Sequence, residues 1–367
     1  MKSCAIVILN WNTKDYLRRF LPGVLATSEA LADVIVADNG SSDGSVDALK
    51  EEFPEVRRIE FDKNYGFTGG YNRALGQLEG YEYFLLLNSD IETPEGWLKP
   101  LVEWMDGHQG CGACAPKLHS LQDRDSFEYA GAAGGYLDLY GYPFCRGRVL
   151  RRVEKDNGQY DDASPYVFWA SGACLMVRSS LWKAMGGLDE RFFAHMEEID
   201  FCWRLALAGY SVCVVPSSTV YHLGGGTLPA ASPFKLLLNH RNNLLMCHKN
   251  LAQTLAVRYR QKGLKRRKAA LKGLRVARVR IFLRMVFDGL ESLTYLLRGR
   301  FSLFKSVFNA HKEYCRLKGR MASRKSIEEA LRKSENVRIV GFYKGMILPH
   351  ALLRGDGIFS YVRQILP

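Results

Sequence analysis

No stretch of this 367-residue chain has the roughly 18 consecutive apolar residues that a membrane-spanning helix needs. The sequence therefore predicts no bilayer crossing. The opening, MKSCAIVILNWN, has no basic leader, apolar core and cleavage site ahead of its first strand-like run. Export by a signal peptide is not expected, and the protein is expected in the cytoplasm. Zinc-type cysteine spacing is missing too. Cys111 and Cys114 form one C-x-x-C, and no second pair follows. The nine cysteines are an odd number scattered through apolar segments, and they read as small buried thiols. No period of about 20–50 residues repeats, so a solenoid is not expected.

Acidic charge is scarce in one place. Residues 258–325 hold 21 Lys and Arg against three acids, Asp288, Glu291 and Glu313, while the whole chain is +13. The rest is therefore mildly acidic. A basic block of this kind implies a polyanion, either nucleic acid or an anionic membrane surface. No nucleic-acid reader motif accompanies the charge, and no aromatic platform interleaves with it. A nucleic-acid partner is not expected, although a nucleic-acid-binding protein stands as one alternative function. Hydrophobic content of 47% and charged content of 24% fit a soluble globular chain with room for one large or two ordinary domains.

The chain is organised around Tyr83–Glu92, YFLLLNSDIE. Five apolar or aromatic residues run unbroken into Asn88, Ser89 and Asp90, as in a strand buried on both faces. Polar residues at such a strand end project into the ligand-binding crevice of an open α/β sheet. Further strands are expected at Ala5–Leu9, Val34–Ala37, Arg57–Phe61, Cys111–Pro116, Phe168–Val177 and Val212–Val215, with helices between them. That alternation predicts an α/β fold with a mostly parallel, doubly wound sheet. Gly131–Gly147, rich in Gly and Tyr, reads as irregular or hairpin structure. Beyond Asn239 helical patterns dominate.

Several residues at the expected strand ends carry chemistry. Asp38 either stabilises a turn or meets a base or ribose at the first crevice. Asn64-x-Gly66-Phe-x-Gly-Gly-x-Asn72 places glycines where a loop must approach something closely. Asp90 is a hard oxygen ligand suited to Mg²⁺ or Mn²⁺ on a diphosphate. Glu197, Glu198 and Asp200 put three carboxylates in four residues, which repel unless a cation or a catalytic duty justifies them. Asp200 pairs with Arg204 at i,i+4, a structural pair. Glu198 points about 100° away from Glu197 on the helix, which leaves one Glu free to act as a general base. His222 follows a strand and precedes Gly224-Gly225-Gly226; imidazole suits an Mn²⁺-type site.

Taken in order, Asn10-Trp11-Asn12, Asp38-Asn39-Gly40-Ser41-Ser42-Asp43-Gly44, NYGFTGGYN, LLLNSD, SGACLMVR, GGLDERFFAHMEEIDFCWRLALAGY and VYH resemble the family 2 glycosyltransferases of the GT-A fold, in their rhamnosyltransferase-like bacterial branch. The resemblance spans about residues 4–250. It implies inverting transfer of a sugar from a nucleotide diphosphate donor, UDP- or dTDP-linked, to a hydroxyl of a glycan or lipid-linked acceptor, with a divalent metal, Mg²⁺ or Mn²⁺. By position, Asp38 matches the base-recognising Asp, and Asn88-Ser89-Asp90 matches the D-x-D with Asp90 in the metal-binding place. Glu197-Glu198 matches the Glu-Asp pair whose second member is the general base, and His222 matches a metal-supporting His. Asn10, Asn64, Gly66 and Asn72 fall among the donor contacts. Gly172, Asp200 and Arg204 fall to acceptor or structural support. Asn88 replaces the first Asp of the D-x-D, and Glu198 replaces the usual Asp. A nucleotidyltransferase of similar fold is the other alternative, but it needs no base at the acid pair.

The expected division is a catalytic domain over residues 1–240, with a nucleotide-sugar half to about 115 and an acceptor half from 116, and a basic amphipathic helical region over 241–367. In Arg280–Arg298 a narrow polar stripe of Arg280, Arg284, Asp288, Glu291 and Arg298 interrupts an otherwise apolar helix. Basic amphipathic helices of this type suit an anionic bilayer surface, here the inner face of the cytoplasmic membrane. The competing expectation is that they pack on the catalytic domain or on a second subunit in a homo-oligomer.

Overall fold

The computed structural model describes residues 3–224, 232–333 and 337–366. The N-terminal half alternates strand and helix: β1 (Cys4–Asn10), α1 (Lys14–Ser28), β2 (Ala32–Asp38), α2 (Ser45–Glu52), β3 (Arg57–Glu60), α3 (Gly66–Leu75), β4 (Tyr83–Asn88), β5 (Ile91–Glu92), α4 (Lys99–Gly107) and β6 (Cys111–Ser120). Four short strands follow: β7 (Gly135–Leu137), β8 (Pro143–Cys145), β9 (Arg148–Val149) and β10 (Arg152–Val153). Then come β11 (Tyr166–Val167), β12 (Cys174–Arg178), α5 (Ser179–Met185), α6 (Glu197–Leu207) and β13 (Ser211–His222). The remainder is helical: α7 (Pro233–Gln261), α8 (Arg266–Leu297), α9 (Phe301–Leu317), α10 (Arg324–Lys333), α11 (Ile347–Arg354) and α12 (Ile358–Ile365). Among the described residues no helix is long and apolar enough to cross a membrane.

The main sheet runs β11-β13-β6-β12-β4-β1-β2-β3, with β5 added beside β13. Its strands form because both faces are covered. Ala5, Val7, Phe84 and Leu86 enter one core, while Cys4, Ile6, Ile8, Leu85 and Leu87 enter the other. The expected parallel sheet holds from β3 to β4. It becomes mixed beyond, because β12 lies antiparallel between β4 and β6. The apolar run 168–177 is not one strand. Tyr166–Val167 pairs with β13 at the sheet's edge, and only Cys174–Arg178 lies beside β4. The chain crosses between them through Ser171 and Gly172. Region 131–147 is a hairpin that opens a second, four-stranded sheet. Eight of the nine thiols, Cys111 and Cys114 among them, are buried and unpaired.

The expected division at residue 240 falls inside α7. That helix packs on α6, where Thr254 accepts the Trp203 indole N–H at 2.7 Å, and it carries α8 on its other side. Gly273 makes the close approach of the two long helices possible: a Cβ there would sit 2.5 Å from the Ala252 carbonyl. The segment after α10 also leaves the helical pattern. Phe342 bridges to Leu137 of the small sheet, and Asp138 accepts the N–H of Ile347 at the start of α11.

Most of the expected polar stripe of α8 faces the protein, but Arg298 is exposed beyond the helix end. Arg284, Asp288 and Ser292 are buried against α7 and α9. Val279, Phe282, Val286, Leu290, Leu293 and Leu297 recur at helical spacing on the outer side, Phe282 at 65% and Leu297 at 87% exposure. The C-terminal half of α8 is inverted relative to an ordinary surface helix, while its first half buries Ala269, Ala270, Leu274, Ala277 and Ile281.

Candidate active site

The site begins at the carboxyl ends of the parallel strands. Register places Asn10 opposite Asp38 and Leu9 opposite Asn88, so three polar side chains share one rim. Asp38 is buried. Its Oδ1 accepts from Asn10 Nδ2 at 2.7 Å, and its Oδ2 accepts from the Ser41 N–H at 2.9 Å. These bonds show the turn-stabilising reading of Asp38, with the carboxylate at the carboxyl end of β2. Thr13 Oγ1 lies 2.6 Å from Asn10 Oδ1 and 2.9 Å from Ser89 Oγ, joining β1 to the turn after β4.

The glycine-bearing loop is knitted by amides. Asn64 Oδ1 accepts from Gly66 N–H at 2.7 Å and from Asn39 Nδ2 at 3.1 Å. Gly66 has φ +72°, and a Cβ there would run into the ring of Phe193. Asn72 does not point to a ligand. Its Nδ2 donates to Leu188 O at 2.8 Å and its Oδ1 accepts from Leu188 N–H at 2.9 Å. It fastens α3 to the segment that leads into the acid pair, and these bonds occupy the amide that was expected to contact the donor.

Asp90 is buried beside His222, which β13 delivers by pairing His222 with Ile91. Asp90 Oδ1 is 3.1 Å from His222 Nε2. On the other side of the ring, Nδ1 lies 3.3 Å from Glu128 Oε2. Burial alone would hold this imidazole neutral, but the two carboxylates outweigh it and push its pKa up to about 10. Two acids gathered around one imidazole collect positive charge, and this donor set fits a divalent cation. Glu128 gave no signal in the sequence, since it lies in an irregular stretch far from β4 and β13. Gly225 and Gly226, in the glycine run after His222, lie outside the described residues.

The acid pair opens α6 after a contorted approach. Phe193, His195 and Met196 have φ of +65°, +71° and +71°. Side chains other than glycine occupy that region at a cost of about 1–3 kcal/mol each, and only where surroundings enforce it. Here α7 enforces it. Asn242 Nδ2 lies 2.9, 2.8 and 2.8 Å from the carbonyl oxygens of Phe192, Ala194 and His195. Arg241 adds a bond to Phe192 O at 2.9 Å and an ion pair with Glu313 at 2.8 Å. Neither residue was singled out from sequence, because nothing in a helical stretch marks a side chain that clamps a distant loop.

Glu197 is buried, Glu198 only partly so, and Oε2 of each has no hydrogen-bond partner. Burial and then the neighbouring Glu198 raise the Glu197 carboxyl well above the ordinary range. Burial raises Glu198 from 4.5 to about 7. Gly172 stands against this residue: a Cβ there would be 3.5 Å from Glu198 Cβ and 3.3 Å from the Phe67 ring. One residue on, Ala173 accepts the N–H of Asn88 at 2.9 Å. The start of α6, with its acid pair, thus lies beside the segment that binds the end of β4.

Asp200 is the structural member of the cluster. It accepts from Arg204 Nε at 2.8 Å, Lys249 Nζ at 2.8 Å and Asn250 Nδ2 at 2.7 Å. Arg204 spends its remaining donors on Met185 O and Gly187 O, both at 2.7 Å, closing the end of α5.

Residues 5–171 match the family model described as Glycosyl transferase family 2. The N-acetylglucosaminyl-diphospho-decaprenol L-rhamnosyltransferase of Mycobacterium tuberculosis is 29% identical over 234 residues, covering 59% of this chain and 75% of the relative. The rhamnosyltransferase WbbL of Escherichia coli is 25% identical over 225 residues, covering 59% and 82%. Among solved structures, GalNAc-T7 with UDP, GalNAc and Mn²⁺ superimposes with a TM-score of 0.51 at 16% identity, over 72% of this chain and 52% of that one. That likeness identifies the fold as GT-A.

Proposed function

We propose that this chain, a glycosyltransferase of family 2, moves a sugar with inversion from a UDP- or dTDP-sugar to a hydroxyl of a lipid-linked glycan in cell-surface polysaccharide synthesis. The observation that carries the reading is the carboxyl pair of buried Glu197 and partly buried Glu198, each with an unpartnered Oε2, held on a strained turn beside the sheet edge that presents Asp38 and Asp90. A carboxyl near pH 7 in its titration is poised for general-base work at neutral pH. The rhamnosyltransferase names of the relatives favour a rhamnose-type donor, and the M. tuberculosis name favours a diphospholipid-linked acceptor.

In this reading Asp38 and Asn10 receive the base and ribose. Asn64, Gly66, Asn88 and Ser89 shape the crevice around the donor. Asp90 and His222, with Glu128 behind, would hold a divalent ion, which when bound neutralises the diphosphate and makes it a better leaving group. Glu198 takes the proton from the acceptor hydroxyl as that oxygen bonds to the anomeric carbon. The bond from that carbon to the diphosphate oxygen breaks on the opposite face, and the nucleoside diphosphate leaves with its electron pair. Burial of Glu197, and then the neighbouring Glu198, disfavour a second negative charge in the pocket. Asp200, Arg204 and Asn72 position α6 and its approach.

The inverted C-terminal half of α8 supports peripheral attachment at the inner leaflet of the cytoplasmic membrane. Its outward apolar row is accompanied by exposed Lys272, Arg275, Arg278, Arg298, Arg300 and Lys305. Each cation near an anionic surface contributes about 1 kcal/mol. Co-sedimentation should be strong with anionic vesicles, weaker with salt and retained in part through the apolar row. Equal failure to bind neutral and anionic vesicles at low salt would remove the membrane from this reading.

Catalysis is tested by screening nucleotide sugars for donor turnover, with and without EDTA, using wild type and Asp90→Ala. Turnover of one donor class that is lost in both the chelated and the substituted protein is expected. Full activity in excess EDTA would refute the metal assignment, and no turnover of any donor would refute the function.

A further inference from the structure

Three helices outside the active site bring two imidazoles and two carboxylates together. His240 comes from α7, Asp288 and Glu291 from consecutive turns of α8, and His311 from α9. His240 Nδ1 is 3.2 Å from Asp288 Oδ1, and His240 Nε2 is 3.9 Å from Glu291 Oε2. His311 Nε2 is 3.5 Å from Asp288 Oδ2. One ligand atom from each of His240, Asp288 and Glu291 lies within 4.8 Å of the others. Asp288 is fully buried and His240 nearly so, yet Asp288 Oδ2, His240 Nδ1 and His311 Nε2 have no hydrogen-bond partner. Buried polar atoms are normally satisfied. The unsatisfied imidazole nitrogens of His240 and His311 each face one oxygen of Asp288, and a cation shared among these groups would satisfy what no hydrogen bond does.

The remaining bonds orient the carboxylates. Arg284 Nε donates to Asp288 Oδ1 at 2.8 Å, and its Nη1 is fixed by Asn243 Oδ1 at 2.7 Å, which leaves Oδ2 for another partner. Tyr295 donates to Glu291 Oε1 at 2.7 Å, which leaves Oε2. Outer-shell bonds of this sort hold metal-binding carboxylates in place. With neutral imidazoles the two acids exceed the one guanidinium by a single charge, so the buried cluster is left net negative and favours a cation. Two nitrogen and two oxygen donors suit Zn²⁺ better than Mg²⁺ or Ca²⁺.

We propose that His240, Asp288, Glu291 and His311 form a structural zinc site that ties α7, α8 and α9 together. It is separate from the cation at Asp90 and stays when that one is removed. Its place explains why α8 turns its polar stripe inward.

The full chain is stripped with chelator, returned to metal-free buffer and titrated with Zn²⁺ alone, reading bound metal by elemental analysis and the melting midpoint. Wild type and Asp90→Ala should each retain zinc at the helix site with a raised midpoint. Co²⁺ in its place should give the visible absorption of a four-coordinate ion. His240→Gln and His311→Gln should each weaken retention by at least the about 10–100-fold that loss of an outer-shell partner costs. His311 is partly exposed, so its variant tests the site even if the His240 variant folds poorly. Failure of wild type to hold zinc, or retention unchanged in His311→Gln, would overturn the proposal.

Discussion

Replacing Asn242 with alanine removes the amide that holds the approach to the acid pair. Phe192 O keeps its second donor, Arg241, but the carbonyls of Ala194 and His195 lose the Asn242 bond. A fully buried acceptor left unsatisfied costs about 1–3 kcal/mol, so these two part-buried ones cost at most about 2–6 kcal/mol. A water entering the space vacated by the amide brings the loss toward the lower end. The larger consequence is local. Phe193, His195 and Met196 are held at positive φ, and each gains about 1–3 kcal/mol by relaxing once the clamp is gone. That relaxation turns the first residues of α6, and with them Glu198. Misplacing a catalytic group by about 1 Å costs about 10²-fold in rate. Asn242→Ala should therefore lower the melting midpoint and cut kcat by about 10², with the donor KM nearly unchanged, because Asp38 and Asn10 are untouched. Thermal melts with steady-state transfer kinetics read both effects. A variant that melts lower but keeps wild-type kcat would refute the argument, since the loop would then hold its shape without the amide.

Glu198→Gln should lower turnover by about 10²–10⁴, with donor affinity kept; damage confined to Glu197→Gln would reverse the roles. Because the Glu198 carboxyl titrates near 7 in the folded protein, wild-type rate should rise with pH through that value, and a flat pH–rate profile would contradict the assignment. The same shift acts on stability. The folded-state pKa is raised, so the contribution is fully present below pH 4.5 and lost as pH rises through about 7. Glu198→Gln should thus be more stable than wild type at pH 8, by at most about 3 kcal/mol given the residue's partial exposure; denaturant melts at pH 5 and 8 measure the crossover. Gly66→Ala combines a positive φ with collision against Phe193 and should cost about 1–3 kcal/mol, while an unaltered midpoint would show that the Phe193 ring yields freely.

The parallel half of the sheet was legible because each strand there is a continuous apolar run ending in polar residues, as in VIVAD and YFLLLNSD. Asp90, His222, Glu197 and Glu198 were legible by type and order, and the folded chain places them at neighbouring strand and helix ends. Region 168–177 misled because an apolar run does not reveal a break when both of its pieces are buried. The bonds of Asn72 to Leu188 were not legible, because a glycine-rich loop says nothing of what an amide at its far end bonds. Glu128 and Asn242 were invisible, since each acts across more than forty residues on an element with no local signature. Helical periodicity identified the stripe on α8 but not its direction, because the period is the same whichever face meets the protein.

Helix α7 also constrains how such a chain can be recombined. Hybrid transferases that borrow their C-terminal helices from another parent are naturally spliced where the last strand of the sheet ends. Here that junction would separate Asn242 from the turn it clamps and Asn250 from Asp200, and the foreign helix would have to supply both amides at the same phase. The workable seam is the turn between Gln261 and Arg266. Even there the incoming helix must carry a glycine opposite Ala252, since any side chain at that position meets a backbone carbonyl.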